Sequence, residues 1–222
     1  MSTHEHHHGH QHGPEITDPM ERWTADFWNE RYASTTALWS GHVNAVVMAE
    51  TDELPPGRAL DVGCGEGADA IWLATQGWDV TAIDISDVAV GRARAAAQRA
   101  GVEIIWMSGD ALQTPPARGA FDLVSLQYPA LPRAAGEASV RALLATVRPG
   151  GVLLAVYHDL DHDHEEHMRS RGIDPADYVG ADDLLAMLQA DFVVERHAVE
   201  PRIDPPPDTP HIADVVVRAR RR

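Results

Sequence analysis

The chain has 222 residues, enough for one α/β domain with a substantial core. Its formal charge of −16 disfavours a nucleic-acid partner, because such binding is driven by a basic surface. A single cysteine, Cys64, rules out an intrachain disulfide and fits a reducing, cytoplasmic compartment, and no apolar run approaches the ~20 residues of a membrane helix.

Residues 1–20 are polar, with His4, His6, His7, His8, His10 and His12 in the first dozen positions. Such a segment has too little apolar content to offset the entropy of ordering, so it reads as a disordered tail with adventitious affinity for divalent metals. The remainder, 21–222, reads as one domain whose first part, 21–54, is a helical cap. Asp26 to Val47 is expected to be helical and carries Trp28, Tyr32 and Trp39.

Pro55-Pro56-Gly57 breaks the chain before an apolar strand that ends at Asp61-Val62. Gly63-Cys64-Gly65-Glu66-Gly67 follows, and then a helix containing Ile71, Leu73 and Ala74. Strand, glycine turn and helix bring backbone N–H groups against a nucleotide-like ligand, and the helix N-terminus suits an anionic group. Asp79 to Ile85 reads as a second strand. Its Asp84 stands 17 residues after Gly67, where a ribose-binding carboxylate falls in a βαβ unit. Ser86 is a fitting N-cap for a helix from Asp87 to Ala100, which Gly101 ends. Arg92 and Arg99 fall on its outer face, toward solvent.

Glu103 to Met107 reads as strand three and leads into Gly109-Asp110-Ala111, where Asp110 can meet a base amine or close an Asx turn. Ala120 to Leu126 is strand four. It delivers Gln127-Tyr128-Pro129 to the carboxyl edge of the sheet, where open α/β sheets bind ligands. A helix from Glu137 to Val147, a hard turn at Arg148-Pro149-Gly150-Gly151 and a buried strand from Val152 to Tyr157 come next. His158 leaves that strand at the ligand edge and is, with Tyr128, a candidate for acid–base work. His158 to His167 holds four histidines and five acids. It reads as a solvated acidic lid without a fixed metal-ligand pattern, so no metal site is assigned. Ala181 to Ala190 is helical. Phe192 to Val199 and Ile212 to Arg218 form a terminal antiparallel pair joined by a loop containing Pro205-Pro206-Pro207, and the arginines at 218, 220, 221 and 222 read as a solvated end.

Asp61-Val62-Gly63-Cys64-Gly65-Glu66-Gly67 resembles the first motif of class I S-adenosyl-L-methionine-dependent methyltransferases. The resemblance covers the chain from about Asp26 onward and implies a doubly wound, Rossmann-like sheet of seven strands ending in an antiparallel pair. It implies that Gly63, Cys64, Gly65 and Gly67 wrap the methionine part of the cofactor and that Asp84, with Ile85, takes the ribose. Asp110 and Ala111 would sit at the adenine, with Gln127 on the strand-four edge. Asp61 is expected to order the turn and a nearby water or amine. Asp26 to Tyr32 and Leu38 to Gly41 are similar to the cap of the tellurite-resistance and thiopurine methyltransferase group, which implies that Trp28, Tyr32 and Trp39 cover the cofactor and wall the substrate pocket. Gln127-Tyr128-Pro129-Ala130 departs from the Asn/Asp-Pro-Pro-aromatic signature of enzymes acting on exocyclic amines of nucleic acids.

The expected reaction is methyl transfer to a small-molecule sulfur, selenium, tellurium, nitrogen or oxygen nucleophile, leaving S-adenosyl-L-homocysteine. Two rival readings are an NAD-dependent oxidoreductase, through Gly63-x-Gly65-x-x-Ala68, and a non-enzymatic metal-handling or cofactor-sensing protein, through the histidine-rich segments.

Overall fold

The computed structural model describes residues 21–160, 162–203 and 212–222; the side chains of residues 162–164 and 167 also lie outside the description. The histidine-rich tail, the triple proline and Asp161 of the 158–167 run thus lie outside the described residues. Seven strands, β1 (Arg58–Val62), β2 (Asp79–Asp84), β3 (Ile105–Ser108), β4 (Phe121–Gln127), β5 (Val147–His158), β6 (Phe192–Pro201) and β7 (Ala213–Arg221), form one sheet in the order β3-β2-β1-β4-β5-β7-β6. Strands β1 to β5 pair in parallel, and β7 is antiparallel to both β5 and β6. The expected doubly wound sheet with a terminal antiparallel pair is therefore what the chain forms.

Alternation along the strands divides the core between two faces. Leu60, Val124, Leu126 and Leu153 point to one face and pack with Val140 and Leu143 of α5 (Glu137–Leu144) and Leu184 and Leu188 of α7 (Ala181–Leu188). Ala59, Leu123, Val152 and Leu154 point to the other and meet Val47 of α2 (Ala45–Thr51) and Ala70 and Leu73 of α3 (Ala68–Thr75). Strand order reverses between β1 and β4, so their carboxyl ends open a crevice there.

The expected long first helix is two helices, α1 (Ala25–Ala33) and α2, separated by residues 34–44. The break is stabilised by side chains that take the freed backbone groups. Arg92 donates to the carbonyls of Tyr32 and Thr35, and Glu66 accepts from the amides of Leu38 and Trp39. Arg92, which lies on α4 (Asp87–Ala100), is therefore a clamp rather than a solvated residue, and it also pairs with Glu66 at 2.9 Å. The helix α4 itself has the expected ends: Ser86 Oγ accepts from the Ala89 amide, and Gly101 is left-handed.

Two further expectations are corrected. The turn at Arg148 to Gly151 is absorbed into β5, where Phe121 pairs with Val147 and Leu123 with Val152. Two steps of β4 thus match five of β5, an irregularity pinned by Arg148 on Asp122. The terminal arginines are not a solvated end. Arg218 pairs with Glu50 and Glu195, Arg220 pairs with Glu195, and Arg221 donates to the carbonyls of Ala145 and Val147. Another described helix, α6 (His162–Ser170), follows β5, and no described helix is long and apolar enough to cross a membrane.

Candidate functional site

The first crossover fixes the site. The amides of Gly63 and Cys64 both donate to the Ile83 carbonyl, which ties the turn to the neighbouring strand. Asp84, 8% exposed, accepts from the Gly65 amide through Oδ2 at 2.8 Å and from the Ser86 amide through Oδ1 at 2.9 Å. Glycine is required at two positions for close approach. A Cβ on Gly65 would stand 3.0 Å from the Tyr32 hydroxyl and 3.2 Å from Trp39 Nε1, and one on Gly67 would stand 2.8 Å from both Ala93 and Trp106. Gly63, with φ of 70°, faces open space instead.

That space is a cleft of about 590 Å³ at the switch point of the sheet. Its lining brings together Gly63, Asp84, Ile85, Asp110 and Ala111 from the first three crossovers. Trp28 and Tyr32 close it from the cap, and Gln127 and Tyr128 form the wall at the end of β4. Asp61, Cys64, Gly65 and Gly67 are not part of the lining and support it from behind. Trp39 is likewise outside it. Its indole donates to the Tyr32 hydroxyl at 2.8 Å, so it holds the cap rather than covering the cleft. Asp110 serves as an Asx turn, its Oδ1 accepting from the Leu112 amide at 2.8 Å, while it also lines the cleft.

Three acids crowd beneath the glycine turn, of which Asp84 alone lines the cleft. Asp61 is 2% exposed, and its Oδ2 has no hydrogen-bond partner. Burial, with Asp69 and Asp84 nearby, pushes its pKa well above the usual carboxylate range. Burial also raises Asp84 and pushes Asp69 up to about 6. Asp69 in turn accepts from the Asn44 amide at 2.6 Å, and the Asn44 side chain donates to Gln127 at 3.0 Å. Positive charge brought near these buried acids would lower the cost of their ionised forms.

The far end of the cleft is built around Tyr128, the one described non-glycine residue with a left-handed backbone, at φ of 49°. Its ring stacks on His158 at 4.1 Å, Arg202 lies 5.2 Å from the ring centre, and its hydroxyl donates to Asp214 at 2.9 Å. Burial and Asp214 raise its pKa further above neutrality, and its hydroxyl is engaged as a donor to Asp214. His158 stands behind Tyr128, outside the lining, with Nδ1 3.8 Å from Asp214 Oδ1. Sequence reasoning missed Asp214, Asn44 and Trp23. Asp214 gave one signal, an acid opening the apolar run Val215-Val216-Val217. Among the described residues no group of three or more His, Cys, Asp or Glu is placed to hold a metal ion.

The family model described as a methyltransferase domain matches residues 59–151, which contain the first crossover and β4. The chain is 35% identical over 106 residues to ribosomal RNA small subunit methyltransferase C of Alcanivorax borkumensis, covering 46% of this chain and 32% of that protein. It is 32% identical over 136 residues to glycine N-methyltransferase of Oryctolagus cuniculus, covering 53% and 44%. The chain thus spans less than half the length of these relatives. Among solved structures, one reported as "Conversion of a Disulfide Bond into a Thioacetal Group during Echinomycin Biosynthesis" superposes with a TM-score of 0.71 at 23% identity, over 89% of this chain and 92% of that one. TehB from Haemophilus influenzae superposes at 0.63 and 17% identity, over 89% and 67%. N-methyltransferase NodS from Bradyrhizobium japonicum, in complex with S-adenosyl-L-homocysteine, superposes at 0.66 and 19%, over 87% and 96%. The chain resembles the class I S-adenosylmethionine-dependent methyltransferases in its glycine-turn segment and in its fold, and TehB is among the structures it resembles.

Two outcomes follow for the free protein. Arg92→Ala removes the clamp on residues 32–39, and amide exchange of α1 and the Trp39 segment is expected to rise on the order of tenfold while β1, β4 and β5 stay protected. A carboxyl whose pKa is raised on folding adds stability below its unfolded value, 3.8 for Asp69, and loses that contribution as pH rises through about 6. Asp69→Asn should therefore reduce the fall in melting temperature between pH 5 and pH 7, as read by calorimetry across that range.

Proposed function

We propose that the chain is an S-adenosyl-L-methionine-dependent methyltransferase acting on a small molecule with a soft nucleophile. The acidic floor under the glycine turn carries this reading. Asp61, Asp69 and Asp84 favour a cofactor that brings positive charge to the turn, as an ammonium and sulfonium do. They oppose the pyrophosphate that a nicotinamide dinucleotide would place at the same turn. The family match and the product-bound neighbour support S-adenosyl-L-methionine as the cofactor.

In this reading Asp61 Oδ2 accepts from the cofactor's ammonium, which supplies the partner that this buried oxygen lacks. Asp84 keeps lone pairs for the ribose hydroxyls while its amide bonds hold it still. Asp110 and Ala111 edge the adenine, and Gly63 leaves the space the cofactor needs. When bound, the cofactor supplies an activated methyl group with a neutral sulfide leaving group. The protein's contribution is alignment and exclusion of water. Trp28 and Tyr32 cover one side, and Tyr128 and Gln127 bound the acceptor end.

With the Tyr128 hydroxyl committed to Asp214 and His158 behind the ring, no described base reaches far into the lining at that end. This favours thiol, selenium or tellurium acceptors, which carry their own nucleophilicity, over hydroxyls, which need a base. The size of the cleft, about 590 Å³, and the charge of −16 favour a small acceptor over a nucleic acid.

The test is transfer from labelled cofactor across thiols, selenite, tellurite, heterocyclic amines and phenols. Methylation of the soft acceptors is expected; transfer only to phenols would overturn the acceptor assignment, and adenosylhomocysteine binding without any transfer would favour a sensor. In calorimetric titrations, Asp84→Asn should weaken adenosylhomocysteine binding about 10- to 100-fold, the loss of charged hydrogen bonds to the ribose. Wild type should show no binding of NAD under the same conditions.

A further inference from the structure

Two local rules of protein construction are broken side by side at the carboxyl edge of the sheet. Asp214 is 2% exposed, although the residues after it, Val215-Val216-Val217, form the apolar run of β7. Its Oδ2 accepts from the Tyr128 hydroxyl at 2.9 Å, while its Oδ1 is buried without a hydrogen-bond partner among the described residues. A half-satisfied buried carboxyl costs stability, and a valine would serve the strand better. Its partner Tyr128 has φ of 49°, a conformation that a tyrosine keeps only where its surroundings over-determine it. Two such departures in contact point to function rather than to folding.

Four strand ends supply those surroundings. The Tyr128 amide extends the β4–β5 ladder by donating to the Val156 carbonyl at 2.8 Å. His158, the last residue of β5, stacks on the Tyr128 ring at 4.1 Å and lies opposite Asp214 in the β5–β7 register. Arg202, directly after β6, stands 5.2 Å from the ring centre, and its amide donates to the Ile212 carbonyl at 2.8 Å. Of these four residues only Tyr128 lines the cleft. The other three hold it from outside the lining.

We infer that Asp214 is a positioning residue for methyl transfer: its bond to the hydroxyl holds the Tyr128 ring as a fixed wall against which the acceptor lies. This rests on the methyltransferase reading above and deepens it. In-line attack depends on how the acceptor is placed, so a wall that can swing costs rate. Removing the hydroxyl or the carboxyl lets the strained residue relax and carries the ring off its place. The cofactor side is spared, because Gly63, Asp84 and Asp110 belong to the ends of β1, β2 and β3.

The experiment is a double-mutant cycle on the full chain, with Tyr128→Phe, Asp214→Val and both together, using benzenethiol and labelled cofactor. Each single variant should lose about 10- to 100-fold in kcat/KM, and both together no more than either one, because they break the same contact. Adenosylhomocysteine affinity should stay within about twofold of wild type, as expected for an independent site. Melting temperature supplies the contrast. Each single change strands a buried polar group and should lower it, whereas the double change makes both partners apolar and should restore it. A restored melting temperature with the rate still low supports the positioning role. A rate that recovers with stability, losses that multiply, or an equal loss of adenosylhomocysteine affinity would overturn it.

Fluorine NMR separates this claim from methyl transfer itself. The four tyrosines are labelled as 3-fluorotyrosine, and Tyr128→Phe assigns the signal of interest. In protein saturated with adenosylhomocysteine, benzenethiol should shift the Tyr128 signal of wild type. In Asp214→Val the same signal should narrow as the ring is freed, while the other three stay in place. Absence of either response overturns the inference. Failed methylation with both responses present counts against the methyltransferase reading and supports the wall.

Discussion

Asp84 reaches across the first crossover to hold the Gly65 amide at 2.8 Å, while the Ile83 carbonyl next to it takes the amides of Gly63 and Cys64. These contacts set the glycine turn at the depth that leaves a cleft in front of Gly63 and room for Tyr32 and Trp39 above Gly65. A side chain at Gly65 or Gly67 would push the cap or α4 away by contact at 3.0 Å or less. The cap, the cleft and the packing of α3 on α4 therefore share one constraint, the closeness of backbone at this turn.

The cap is held by polar groups as well as by Val47 of α2, which is buried in the core. Asn29 accepts from Ser86 and from the Val88 amide, Arg92 and Glu66 take the backbone of residues 32–39, and Asn44 links Asp69 to Gln127. All of these partners lie on the elements that surround the glycine turn, so cap position and cleft shape are mechanically one unit. At the opposite end, Asp214 on the reversed strand β7 fixes Tyr128 and approaches His158. The antiparallel pair that closes the sheet thus also furnishes the buried acid behind the Tyr128 wall of the cleft.

The central strands were legible because they are apolar runs, and α4 because Ser86 and Gly101 mark its ends directly. Part of the cleft lining was legible for a related reason: Gly63, Asp84 and Asp110 follow strands one, two and three, and parallel topology brings strand ends together. What escaped depends on contacts between distant segments. The break after Ala33 is set by Arg92 and Glu66, 59 and 33 positions farther on, so helical periodicity around Tyr32 and Trp39 could not reveal it. Arg92 itself is amphipathic and reads as a surface residue until a carbonyl is placed above it. Tyr128 and His158 stand at the strand ends where they were expected, but their roles turn on Asp214, which is 86 residues from Tyr128 in sequence.

The central claim is that an adenosyl sulfonium compound occupies the cleft in front of Gly63 with its ribose on Asp84. A crystal structure of the protein with S-adenosyl-L-homocysteine tests it most directly. The account predicts the ribose hydroxyls on the Asp84 carboxylate, the amino group near Asp61 and the adenine beside Asp110 and Ala111. Density for the compound elsewhere, or an adenosyl group turned away from Asp84, would contradict it.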